Sequence, residues 1–199
     1  IPKHFERIVN ALEILQMERR VPAVFGGLEG DNYAFNKEIV GHSPGINAYR
    51  DSHKNQPAII VSAGPSLDNV LPYLKRMEKS CVLACVDTAL PILSQQGISP
   101  RYVFSLDPQE ESFSYFIEDL ENPAKLIYTP TANARIVRHY KGEKIVVFME
   151  GHSLFKDDGA LMKEKGATQA GGSVSCLGID CLIQMGCNPI MLAGQDCGF

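Results

Sequence analysis

Six short apolar runs, spaced along the chain from Pro57 onward, constrain the fold more than any other feature. They are Ala58–Ser62, Val82–Val86, Tyr102–Leu106, Lys125–Tyr128, Ile145–Met149 and Ile190–Ala193. Each is strand length, and none alternates apolar with polar, the pattern of strands covered on both faces. Helical stretches separate them. Leu67, Val70, Leu71, Leu74 and Met77 fall on one helical face. Asp87 to Gln96 reads as a second helix ending at Gly97, and Thr131 to Tyr140 as a third with Thr131 as its N-cap. Val174, Leu177, Cys181, Leu182 and Met185 mark a last helix closed by Gly186. Strand and helix in alternation predict an α/β fold, Rossmann-like, with a mostly parallel sheet and helices on both faces. The domain is expected over residues 56–199. Residues 1–55 are expected to be a helical and irregular lead-in, with a helical stripe from His4 to Arg19 and a Gly- and Asn-rich passage from Gly26 to Asn55.

Composition narrows the classes. Hydrophobic residues make up 45% of the 199, enough for a core, which excludes a disordered chain. No apolar run approaches the roughly 20 residues of a spanning helix, so membrane insertion is not expected. The net charge of −4 gives no global basic field for nucleic acid. The six cysteines form no CxxC pair, and Cys81 and Cys85, within the apolar run Cys81–Val86, read as small buried hydrophobes. With no signal-peptide pattern at the start, they predict a reducing, cytoplasmic setting. The opening Ile1-Pro2-Lys3 and the close just after a strand-like run are what an excerpt of a longer chain would show.

In parallel sheets ligands bind beyond the carboxyl ends of the strands, so the residues after each run are the candidates. Gly64-Pro65-Ser66 follows the first and suits a phosphate-binding helix start. It is neither a Walker A loop nor GxGxxG. Asp87 and Thr88 follow the second run and Asp107 the third. A carboxylate at such a place can take a ribose hydroxyl, hold a metal, act as a base, or merely cap a turn. His152, after the fifth run, is the one strand-end histidine, although a plain loop residue is the commoner outcome. Asp157-Asp158-Gly159 reads as a solvated turn. Gly171-Gly172-Ser173 opens the last helix as a second anion pocket, and Gly194-Gln195-Asp196 follows the last strand.

The segment Pro57 to Asp68 resembles the opening motif of the motility accessory factor family, which shares a domain with the archaeal 6-hydroxymethylpterin diphosphokinases. Asp87-Thr88-Ala89, Gly97-Ile98-Ser99-Pro100, Ser105-Leu106-Asp107, Gly171-Gly172-Ser173-Val174, Gly186-Cys187-Asn188-Pro189-Ile190 and Gly194-Gln195-Asp196 extend the likeness in order. The resemblance implies a Rossmann-like domain similar to bacterial sialyltransferases. It implies a glycosyltransferase that moves a nonulosonic acid from a CMP-sugar to a Ser or Thr of flagellin or a similar acceptor. Gly64, Pro65 and Ser66 would hold the donor phosphate, and Gly172 and Ser173 would lie by the nucleotide. Asp87, Thr88, Gln195 and Asp196 would line the nucleotide crevice, with Asp107 as the candidate catalytic residue. Cys197-Gly198-Phe199 departs from the family's usual ending, and the stretch where a histidine base would be sought is absent, so the general base is unassigned. No tightly bound cofactor is implied. The alternative is transfer of diphosphate from ATP to a pterin alcohol, with Mg²⁺ on Asp87 and Asp107. A second alternative is a nucleotide-binding module without catalysis.

Overall fold

The computed structural model describes residues 26–169 and 172–196. Six strands form one all-parallel sheet: β1 (Ala58–Val61), β2 (Val82–Val86), β3 (Tyr102–Ser105), β4 (Lys125–Tyr128), β5 (Lys144–Val146) and β8 (Ile190–Ala193). Their order is β5-β4-β3-β2-β1-β8. The chain steps outward from β1 to β5, then returns to lay β8 on the other side of β1. The reversal leaves a topological switch point between β1 and β8, and the carboxyl ends of the strands there are where such folds bind ligands.

Every residue of β1, β2 and β3 is buried, as their unbroken apolar runs require. One face of the sheet (Ile59, Val61, Leu83, Cys85, Val103, Leu126) packs on α2 (Leu67–Met77), α3 (Leu90–Gln95) and α4 (Ala134–His139). The other (Ala58, Ile60, Ala84, Tyr102, Phe104, Ile127) packs on α6 (Val174–Gln184) through Leu177, Cys181 and Leu182. Cys85 is wholly buried among these apolar groups, as expected of a small hydrophobe, as is Cys181, whereas Cys81 is only half-buried. The doubly covered parallel sheet predicted from the sequence is therefore the fold.

Four local expectations are corrected. The run Ile145–Met149 is broken at Val147, whose N–H donates to Tyr128 O. Beyond it β6 (Phe148–Met149) leaves the main sheet to pair with β7 (Ala167–Thr168). The supposed turn at Asp158 leads into α5 (Gly159–Lys165), and the Asp158 carboxylate accepts the Tyr33 hydroxyl at 2.7 Å. Thr131 is not the cap of α4. Asn133 is, accepting the N–H of Arg135 and Ile136. The segment from Asp87 begins as a 3₁₀ turn, Asp87–Ala89, before α3.

The passage from Gly26 is more regular than its composition suggested. Residues 26–42 form a helix, α1, and 51–55 fold back as turns over the end of α6. The apolar side of α1 buries Tyr33 and Val40. Two asparagines four apart, Asn32 and Asn36, bury their amides against the loops after β3 and β4. Asn36 donates to Pro130 O and Ala132 O, at 3.0 and 2.9 Å. Asn32 donates to Pro108 O at 2.9 Å and accepts Ala134 N–H. These bonds use carbonyls that a loop cannot satisfy internally, so α1 fixes the strand-end loops in place. The helical stripe expected between His4 and Arg19 lies outside the described residues.

Candidate functional site

Beyond the carboxyl ends of β1, β2, β3 and β8 lies a cleft of about 320 Å³. It is lined by Ser62, Val86, Asp87, Thr88, Asp107, Tyr115, Ser173, Val174, Ser175 and Gln195. A larger depression, about 460 Å³, sits between the end of α1 and the Gly142–Lys144 turn. It faces the opposite end of β5 and gathers none of the strand-end carboxylates, which lie in the smaller cleft.

Asp87 is the most constrained group there. It is 5% exposed, and its Oδ1 accepts the Thr88 N–H at 2.8 Å. Burial pushes its pKa up from 3.8 to about 6, against the lowering effect of that bond, and the neighbouring Asp107 carboxylate adds to the rise. Asp107 is half-buried and held by its own turn: Oδ1 accepts Gln109 N–H at 2.9 Å. Its carbonyl accepts Asn133 N–H at 3.1 Å, tying it to the cap of α4 and so to the α1 asparagines.

On the opposite wall α6 points its N-terminus at the cleft. Its first-turn amides lack intrahelical acceptors by geometry, and no group among the described residues takes those of Val174, Ser175 or Cys176. Ser173 and Ser175 hydroxyls lie 2.9 Å apart. Gly172, with φ +66°, has open space where a side chain would stand. Gly171 lies outside the described residues. The floor is Ser62, whose hydroxyl donates to Gln195 Oε1 at 2.8 Å.

The turn at Gly64-Pro65-Ser66 behaves differently from its sequence expectation. The Asp196 carboxylate occupies it: Oδ2 accepts the Ser66 N–H at 2.8 Å. A Cβ on Gly64 would stand 2.3 Å from that oxygen and 2.5 Å from Gly194 O. Gly64, Pro65, Ser66 and Asp196 thus form a closed joint between β1 and β8, and none of them lines the cleft. Gly194 completes it. It has φ +66°, and a Cβ there would meet Ser62 O at 2.0 Å. An anion could take the Ser66 amide only by displacing a carboxylate, whereas the first-turn amides of α6 are open.

His152 is turned away from the cleft. It stacks on Phe155 with centroids 4.8 Å apart, and its Nε2 lies 3.6 Å from Glu29 of α1. Nδ1 accepts Leu154 N–H. It packs α1 onto the fold rather than carrying a proton for the strand-end site. Among the described residues no group of three or more His, Cys, Asp or Glu is placed to hold a metal. Asp87 and Asp107 alone share the cleft, which suits Mg²⁺, an ion commonly held by one or two carboxylates plus substrate phosphates. Ser62, Tyr115 and Ser175 were not singled out from the sequence. Ser62 closes the first run and could have been read as a strand-end residue, whereas nothing in the pattern around Tyr115 distinguished it from core aromatics.

The model of the family described as 6-hydroxymethylpterin diphosphokinase MptE-like matches residues 31–199. The chain belongs to that family. The match begins inside α1 and covers every element of the cleft. Among solved structures, the MAf glycosyltransferase from Magnetospirillum magneticum AMB-1 superposes with a TM-score of 0.65 at 23% identity, over 75% of this chain and 24% of that one. At that identity the likeness is one of fold. An uncharacterized protein of Treponema pallidum (strain Nichols) is 28% identical over 109 residues, 53% of this chain and 49% of that protein. The matched region is thus about half of the Treponema protein, and about a quarter of the glycosyltransferase. Among the described residues of this MptE-like chain, no helix is long and apolar enough to cross a membrane.

Proposed function

We propose that this chain carries the donor-nucleotide site of a glycosyltransferase, moving a nonulosonic acid from a CMP-sugar to a Ser or Thr hydroxyl of a protein such as flagellin, in the cytoplasm. The observation that carries the reading is the cleft at the β1/β8 switch point, with open helix amides on one wall and a buried, pKa-raised carboxyl on the other. The α6 N-terminus, with Ser173 and Ser175, would hold the CMP phosphate. The acceptor hydroxyl oxygen would bond to the anomeric carbon as the bond from that carbon to the CMP phosphate oxygen breaks. The bonding pair leaves with CMP, and the hydroxyl proton passes to a carboxylate. With a pKa near 6, Asp87 is tuned for that role near neutral pH, and Asp107 beside it helps set that value. The likeness to the MAf glycosyltransferase fold supports this choice of reaction.

A second reading is favoured by one observation, the Asp87–Asp107 pair. In it the chain transfers diphosphate from ATP to a pterin alcohol, as the family's description suggests. Mg²⁺, when bound, would neutralise charge on the transferred phosphates. Asp87 and Asp107 would hold it, and the α6 amides would take the phosphate oxygens left over.

Thermal shift with CMP, CTP and ATP, each with and without Mg²⁺, separates the two. Stabilisation by CMP independent of metal supports sugar transfer. Stabilisation by ATP only with Mg²⁺ supports the diphosphokinase and overturns the first reading.

A further inference from the structure

We infer that Tyr115 is the stacking platform for the nucleobase of the bound nucleotide, an inference that rests on the nucleotide reading above. Tyr115 lies in the 3₁₀ segment Glu110–Phe116 that follows β3. It is the one aromatic ring among the described residues that line the cleft, and it is 37% exposed. Its neighbours explain why a large ring is held at the surface. Phe113 and Phe116, on either side of it, are 7% and 0% exposed. Phe116 packs edge-on against Tyr140 with centroids 5.9 Å apart, and the Arg135 guanidinium sits 3.9 Å over Phe113. Arg135 in turn pairs with Glu110 at the head of the segment. The backbone that carries Tyr115 is therefore pinned at both flanks while its own ring faces the cleft. The Tyr115 hydroxyl has no partner among the described residues, so the ring is not there to anchor a hydrogen bond within the fold.

The rest of the lining is two valines and polar or acidic groups. A base needs a flat apolar surface and a phosphate needs amides and hydroxyls. Tyr115 supplies the first, and Ser173 and Ser175 at the α6 start supply the second. Stacking on an aromatic side chain tolerates different bases, because every base has a π face.

The test is isothermal titration of wild-type protein, Tyr115→Phe and Tyr115→Ala with cytidine monophosphate and with ribose 5-phosphate, which keeps the phosphate and sugar and lacks the base. Tyr115→Ala is expected to weaken cytidine monophosphate binding roughly 5- to 100-fold. Tyr115→Phe is expected to stay within about threefold of wild type, the ring face being retained. Ribose 5-phosphate should bind all three alike. Unchanged nucleotide affinity in Tyr115→Ala overturns the inference while leaving the nucleotide site standing. Equal losses for both ligands also overturn it, since they report a damaged cleft rather than a missing ring. Failure of the wild type to bind cytidine monophosphate overturns the nucleotide reading, and the inference with it.

Discussion

Replacing Asp87 by Asn should make the protein more stable at high pH and spoil the site. An acid whose pKa is higher in the folded state than in the unfolded one costs stability once it ionises. The cost is absent well below 3.8, grows as the pH rises, and is complete above about 6. The rise of about two units corresponds to about 3 kcal/mol at pH 8, and to about 1 kcal/mol at pH 4.5, where the folded carboxyl is still mostly protonated. Asp87 is 5% exposed, so solvent screens little of this. Asn keeps an oxygen for the Thr88 N–H and removes the charge that burial and Asp107 both disfavour. Urea unfolding of wild type and Asp87→Asn at pH 4.5 and 8 isolates the effect, because any packing change in the amide is common to both pH values. The gap between the two proteins should move by about 2 kcal/mol in favour of the variant on going to pH 8. A gap that stays the same at both pH values refutes the argument that burial has raised this carboxyl. Under the sugar-transfer reading, the wild-type rate should also rise with pH through about 6, and the variant should lose that rise together with most of its activity.

Asn36→Ala removes two buried bonds, to the carbonyls of Pro130 and Ala132. At about 1–3 kcal/mol per stranded group, it should destabilise by about 2 kcal/mol or more in urea unfolding, and a loss under about 0.5 would show that water replaces the amide. Gly194→Ala brings a Cβ to 2.0 Å from Ser62 O in a left-handed conformation. The strained backbone alone costs about 1–2 kcal/mol and the clash about 1–3 more, so the melting temperature should fall sharply, and an unchanged value would mean the β1–β8 joint is not as tight as described.

Some of this was legible from the chain and some was not, for identifiable reasons. The sheet was legible because burial on both faces writes itself as runs such as Ala58–Val61 and Val82–Val86, and because strand ends in a parallel sheet must share one edge. That is why Asp87, Asp107, Ser173 and Gln195 could be named before they were seen to line one cleft. Helix α1 was missed because its buried face carries Asn32 and Asn36, polar residues that mark a helix only once the loops they bind are in place. The break at Val147 was missed because β5 and β6 are both apolar and differ only in which strand they pair with. Tyr115 was missed because a core aromatic and a cleft aromatic look alike in sequence, and here Phe113 and Phe116 go one way and Tyr115 the other.

The two glycine-serine turns show how far local chemistry can carry a functional argument. Gly64-Pro65-Ser66 and Gly172-Ser173 both open a helix at a strand end, and both helices run 11 residues, so their dipoles are equivalent. What separates them is a side chain 130 residues away. Asp196 lies just beyond β8, the strand that the topology sets beside β1, and its carboxylate takes the Ser66 amide an anion would need. A negative charge at that helix start is stabilising for the same reason a phosphate would be. The joint therefore fills the Ser66 amide internally and leaves α6 as the helix start open to the cleft. An anion entering from solvent has a filled position on one side and unpaired amides on the other. On the nucleotide reading the α6 start is therefore the phosphate seat, and the β1–β8 joint stands outside the cleft.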